Sequence, residues 1–180
     1  MTIYEELKKD HVKVLGLLDE LIATGDSNSS KSQTLVKQIY DELIPHARAE
    51  EAVLYNSIRD VEGTEDVLGH AYRDHLEAEA ILNTLRATET MKVNWVGGAK
   101  KLKEALEHHI SEEEGRVFSA AKKLFIEGEG VAMRDVFLKM KPLVKEQSFL
   151  GKSLDLLVNM MPARLREPFR KSQLPIAQAS

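Results

Sequence analysis

At 180 residues, with 43% hydrophobic and 30% charged side chains, the chain can build one domain with a real core and has an ordinary globular composition. Its net charge of −4 argues against a general nucleic-acid footprint, which is basic, and the lack of cysteine excludes disulfides and thiolate metal sites. No run approaches the ~18 apolar residues of a membrane span, and Met1 to Asp10 reads as helix rather than apolar leader, so a cytoplasmic protein engaging neither membrane nor nucleic acid is expected.

Few glycines and prolines, among many Leu, Ala, Glu and Lys, favour helix. Leu7, Val14, Leu18 and Leu21 recur with helical period and predict a first helix ending in the loop 25–30. Val36, Ile39, Leu43, Leu54 and Ile58 predict a second that ends near Gly63. Pro45 lies inside it, removes one backbone hydrogen bond and is expected to bend the helix just before His46. A third helix follows from about Glu65 to Thr88 through Leu68, Ala71, Ala78, Leu82 and Leu85. The fourth starts near Asn94 and presents Leu102, Leu106, Val117 and Leu124, with Gly128 and Gly130 expected to stop it. Short links imply antiparallel neighbours, hence an all-α, up-down-up-down four-helix bundle over residues 1–128.

Residues 129–180 differ in character. They hold four of the six methionines, and from Arg134 onward nine Lys/Arg face four Asp/Glu. A C-terminal helical extension is predicted, with helices near 131–146 and 150–161 and a loosely ordered tail. It covers an open side of the bundle, or offers an apolar, basic surface to a partner protein or to a second copy in a homodimer.

The chain repeats itself. Asp10-His11 is followed by Leu18, Leu21, Ala23 and Thr24, and Asp74-His75 by Leu82, Leu85, Ala87 and Thr88 at the same offsets. Each half then carries a histidine with a glutamate four residues on, His46/Glu50 and His109/Glu113, which places both side chains on one helical face about a turn apart. The phase decides what these residues do. His11, His46, Glu50, His75, His109 and Glu113 all fall on the apolar stripes of their helices, so the bundle should bury them. An unpaired carboxylate there costs several kcal/mol, whereas a cation supplies the missing charge. Four imidazoles and two carboxylates suit a pair of Fe, Mn or Zn ions, with Glu50 and Glu113 placed to bridge them. His46 with His11, and His109 with His75, are one way of sharing the histidines out. Glu51 and Glu114 recur at matching places and are candidates to orient ligand imidazoles. Asp10, Asp74 and His108 are read as solvated, and Tyr55, Phe118 and Trp95 as packing.

The pattern H…HxxxE…H…HxxxE over about 4–126 resembles the hemerythrin-like, HHE cation-binding family. The resemblance implies a four-helix bundle holding two iron ions, oxo- or hydroxo-bridged, on His11, His46, Glu50, His75, His109 and Glu113. The family usually places proline after the aromatic at positions 55 and 118; here Asn56 and Ser119 stand instead. Oxygen-carrying members add a fifth histidine one turn before the third-helix ligand. That position is Ala71 here, and His70 lies about 100° round the helix unless a local π-bulge turns it inward. Without that ligand one iron keeps an open position. The expected function is then binding or sensing of O2 or a related small oxidant, in redox or iron sensing or storage. The alternative is a di-iron enzyme that decomposes peroxide or reduces NO. A ferritin-like oxidase would need Glu-x-x-His and a zinc hydrolase HExxH, and the chain has neither.

Overall fold

A computed structural model describes residues 1–27, 29–87 and 94–145, and among these the protein is all-helical, with no strand. Helix α1 spans Ile3–Thr24. The Glu5 carboxylate accepts the Thr2 N–H at 2.6 Å to cap its first turn, and Gly25, at φ +70°, turns the chain out of its end. Helix α2, Ser29–Glu50, runs unbroken through Pro45 and continues as a π-helical turn, Glu51–Tyr55, and a last helical segment, Asn56–Ile58. Helix α3 is Glu65–Ala87. Helix α4, Trp95–Glu112, is capped by the Asn94 side chain, which accepts the Gly97 N–H at 2.6 Å. It too passes through a π-helical turn, Glu113–Val117, before ending as Phe118–Leu124. Helix α5 is Glu127–Lys145.

The fourth helix stops earlier than Gly128 and Gly130 suggested. Phe125 leaves helical geometry, and both glycines lie in the first turn of α5. The Glu129 carboxylate accepts the Ile126 N–H at 3.0 Å and starts α5 there. A Cβ on Gly130 would come within 3.3 Å of Thr2, so this turn sits close against the start of α1. The expected helix over 150–161 and the tail lie outside the described residues.

Helix α1 packs on α2, α4 and α5; α2 also packs on α3 and α5, and α3 on α4. Two apolar clusters result. One joins Leu7 of α1, Ala49, Val53 and Tyr55 of the second helix, Ala71 of α3, Val117 and Phe118 of the fourth, and Met133, Val136, Phe137 and Met140 of α5. The other joins Val14, Leu18 and Leu21 with Ile39, Leu43, Ala78, Leu82, Leu102 and Leu106. Along each of the first four helices the stripe changes cluster at one place: between Leu7 and Val14, Leu43 and Ala49, Ala71 and Ala78, Leu106 and Val117. A single polar layer fills that level. No helix among the described residues is long and apolar enough to cross a membrane.

Candidate metal centre

His11, His46, Glu50, His75, His109 and Glu113 all lie in that layer, none more than 6% exposed. The imidazoles stand in two pairs, one from each half of the repeat. Ring centroids are 5.0 Å apart for His11 and His46 and 4.6 Å for His75 and His109. Each glutamate reaches both pairs. Glu50 Oε2 is 3.5 Å from His46 Nε2 and 3.5 Å from His75 Nε2. Glu113 Oε2 is 3.3 Å from His11 Nε2 and 3.9 Å from His109 Nε2. His75 Nε2 and His109 Nε2 face each other at 3.1 Å, and one ligand atom each from Glu50, His75 and His109 falls within a 4.8 Å group.

On the far side of every ring, Nδ1 faces a carboxylate: Glu51 for His75 at 2.8 Å, Asp10 for His46 at 3.0 Å, Glu114 for His11 at 3.2 Å and Asp74 for His109 at 3.5 Å. A ring that donates its Nδ1–H outward keeps the Nε2 lone pair aimed inward, the tautomer a metal ligand needs. Three of the carboxylates are held in turn by a cation. Lys141 donates to Asp10 at 2.7 Å, Arg48 to Glu51 at 3.3 Å, and Lys8 pairs with Glu114. Asp10 and Asp74, expected in solvent, therefore sit behind imidazoles. Each reaches the histidine of the neighbouring helix rather than the one beside it in sequence, because adjacent residues on a helix diverge by about 100°. The recurrence of Asp-His in both halves was the signal for this arrangement.

Burial governs the electrostatics of His46, His109 and Glu50 in the layer, whereas at His11 Glu113 and Glu114 outweigh it and raise the ring above its usual range. Burial pushes His46 down to about 4, and burial together with His75 pushes His109 down to about 3, so these rings resist protonation. Glu50 is driven well above the ordinary carboxylate range by burial and by the charge of Glu113. Asp10 behaves oppositely: although burial opposes its charge, His46 and Lys141 hold it at about 2. His11 Nε2, Glu50 Oε1 and Glu113 Oε2 are buried without a hydrogen-bond partner among the described residues. The approach of His11 to Glu113 is close but lacks the alignment of a hydrogen bond. Stranded polar atoms of this kind are costly in an interior, and cations placed between the nitrogens and carboxylates would satisfy them. The donor set, imidazole and carboxylate without thiolate, fits iron, manganese or zinc.

The two ends of the layer are closed differently. On the side of the α5 cluster, the Tyr55 hydroxyl lies 3.4 Å from Glu113 Oε1 and 3.5 Å from Glu50 Oε2, and its ring stacks on His75. Burial and these carboxylates push the phenol well above its usual range, so it stays a donor. The π-helical turn puts residue 55, five beyond Glu50, beneath that glutamate. Phe118 stands five beyond Glu113 after the matching turn. An aromatic at that offset in both halves was the legible clue, and Tyr55 does more than pack. On the other side, a cavity of about 20 Å3 is bounded by the four histidines and Asp10 and by Val14, Leu43, Leu106 and Ile110. It has room for one water-sized molecule.

His70 does not join the site. It is exposed, its Nδ1 donates to the Asp66 carbonyl at 2.7 Å, and α3 carries no π turn that would rotate it inward. His108 is exposed as well.

A helical protein with a buried His/Glu cluster of this kind falls into a recognisable class. The Hemerythrin HHE cation binding domain matches residues 2–121, and the chain belongs to that family. It is also similar to a protein named DNA nickase from Nostoc sp. (strain PCC 7120 / SAG 25.82 / UTEX 2576), 30% identical over 122 residues, which is 68% of this chain and 34% of that relative. The chain thus spans about a third of the relative's length. No solved structure matches it.

Proposed function

We propose that the first four helices form an up-down-up-down bundle that binds two iron ions, and that the protein binds or senses O2 or a related small oxidant there. One observation carries this reading: each of two buried glutamates spans both histidine pairs, while all four rings turn Nε2 inward against a carboxylate at Nδ1. In this reading His11 and His46 would hold one ion and His75 and His109 the other, with Glu50 and Glu113 as carboxylate ligands placed between the two pairs. Two such ions can exchange electrons with a small oxidant. The chain's own contribution is to orient the imidazoles through Asp10, Glu51, Asp74 and Glu114, to steady both bridging carboxylates through Tyr55, and to keep bulk water out with the two apolar clusters.

The small cavity beside the four rings, with room for one water-sized molecule, limits any ligand there to a very small one. It equally favours the second reading, turnover of peroxide or NO at the same place. Metal analysis with an optical spectrum, taken reduced and then after exposure to air, tests the first reading. Two irons per chain and a near-ultraviolet band that changes reversibly with O2 are expected; stoichiometric zinc with no iron overturns it. Catalytic loss of added peroxide or NO by the iron-loaded chain moves the assignment to the second. The name of the Nostoc relative raises DNA strand scission as a further activity to test for this chain, which the net charge of −4 disfavours. Nicked circles from supercoiled plasmid, dependent on the iron-loaded chain, would overturn that ranking.

A further inference from the structure

The internal repeat makes the two halves of the site equivalent in sequence, yet one added helix breaks that equivalence. Helix α5 lies beyond residues 2–121, the stretch that matches the family, and packs mainly against the first half, on α1 and α2. Its Phe137 sets its edge against the His46 ring, with centroids 5.8 Å apart. Its Lys141 donates to Asp10 Oδ2 at 2.7 Å, the same oxygen that faces His46 Nδ1 at 3.0 Å. The matching chain of contacts in the other half is Asp74 and His109. There the separation is 3.5 Å without a hydrogen bond, and among the described residues no lysine or arginine pairs with Asp74. The remaining two braces, Lys8–Glu114–His11 and Arg48–Glu51–His75, each end in a cation and do not distinguish the halves.

We propose that Lys141 is a positioning residue which, through Asp10 and His46, makes the ion at the His11/His46 pair more firmly held than the ion at the His75/His109 pair. This rests on the binuclear reading above. The warrant is geometric. Asp10, gripped by Lys141, fixes the rotation and tautomer of His46 before an ion arrives, whereas His109 has no hydrogen bond at Nδ1 to do the same. Loss of such an outer partner commonly changes metal affinity by about 10–100-fold. The helix therefore gives the protein one persistent ion and one exchangeable ion.

The experiment is release of Fe(II) from the anaerobically loaded full chain to excess chromogenic chelator. Wild-type protein is expected to lose its two ions in two separate phases. Lys141→Met should accelerate the slow phase about 10-fold or more and leave the fast one alone, and Lys141→Arg should restore it. Asp10→Asn, which keeps the side chain's shape, should reproduce the methionine variant without altering α5. An unchanged slow phase in Lys141→Met, equal acceleration of both phases, or a single wild-type phase for two ions overturns the inference. Wild-type protein that loads fewer than two ions overturns the binuclear reading itself, and the two failures are told apart at the loading step.

Discussion

The two ends of the polar layer differ in what they allow. Toward α5, a tyrosine closes the layer, its hydroxyl shared by both glutamates and its ring flat against His75. Toward the links between paired helices, apolar side chains stop short of the rings and leave about 20 Å3. One end holds the carboxylates; the other leaves a small space beside the rings. In the reading proposed above, a small ligand should meet the ions from the side of Val14, Leu43, Leu106 and Ile110, and a substitution at either end should move a different observable.

The largest effect is expected where the ends meet, at Glu113. Glu113→Ala should remove metal and lower the melting temperature of the metal-supplied protein by roughly 10 °C, since an ion at 100–1,000 times its Kd adds about 3–4 kcal/mol. With chelator present the difference should shrink or reverse, because the substitution also takes a buried negative charge from beside Glu50. Undiminished metal content in this variant would remove Glu113 from the site.

Next comes the open end. Val14→Leu adds a methylene to the cavity wall and should leave two irons in place while slowing the optical change on exposure of reduced protein to air by about tenfold, the equivalent of ~1.4 kcal/mol on the barrier. Loss of iron instead would mean that the cavity is part of the ligand cage. Tyr55→Phe, at the closed end, should keep the iron and the air-exposure rate. It should shift the absorption bands and cost about 1 kcal/mol of stability, the usual net worth of a buried hydrogen bond. A slowed reaction with air in that variant would put access at the tyrosine end and reverse the comparison.

Legibility in the sequence tracks periodicity. Stripes at helical spacing found the long helices, and the position of His11, His46, Glu50, His75, His109 and Glu113 on those stripes predicted their burial. Contacts between helices were harder to see. Asp10 reads as a solvated neighbour of His11 until the rotation and separation of α1 and α2 bring it to His46. Lys141 reads as one more lysine in a basic extension until α5 docks. The π-helical turns escape a period-3.6 reading altogether, because each inserts a residue and re-aims the side chains beyond it; near His70 such a turn is only an alternative to a surface role, and the structure has two elsewhere. Glycine misled at 128 and 130, where a carboxylate cap from Glu129 outweighs the low helix propensity.

The smallest effect is expected at His108, and it tests the phase of the whole fourth helix. His108 and His109 are adjacent, so a one-residue error in register would exchange the buried ring for the exposed one. The structure settles their burial: His109 lies in the polar layer with Leu102, Leu106 and Glu113 on its face, while His108 is exposed. His108→Ala should leave the iron content unchanged and alter stability by no more than about 0.5 kcal/mol, as for most surface substitutions. Its carboxylate neighbour sharpens the point, because His108 is among the groups whose charge acts on Asp74, the outer partner of His109. A marked loss of iron from His108→Ala would mean that the brace on this half runs through His108 after all, and the contrast between His46, hydrogen-bonded to Asp10, and His109, with no such bond at Nδ1, would disappear.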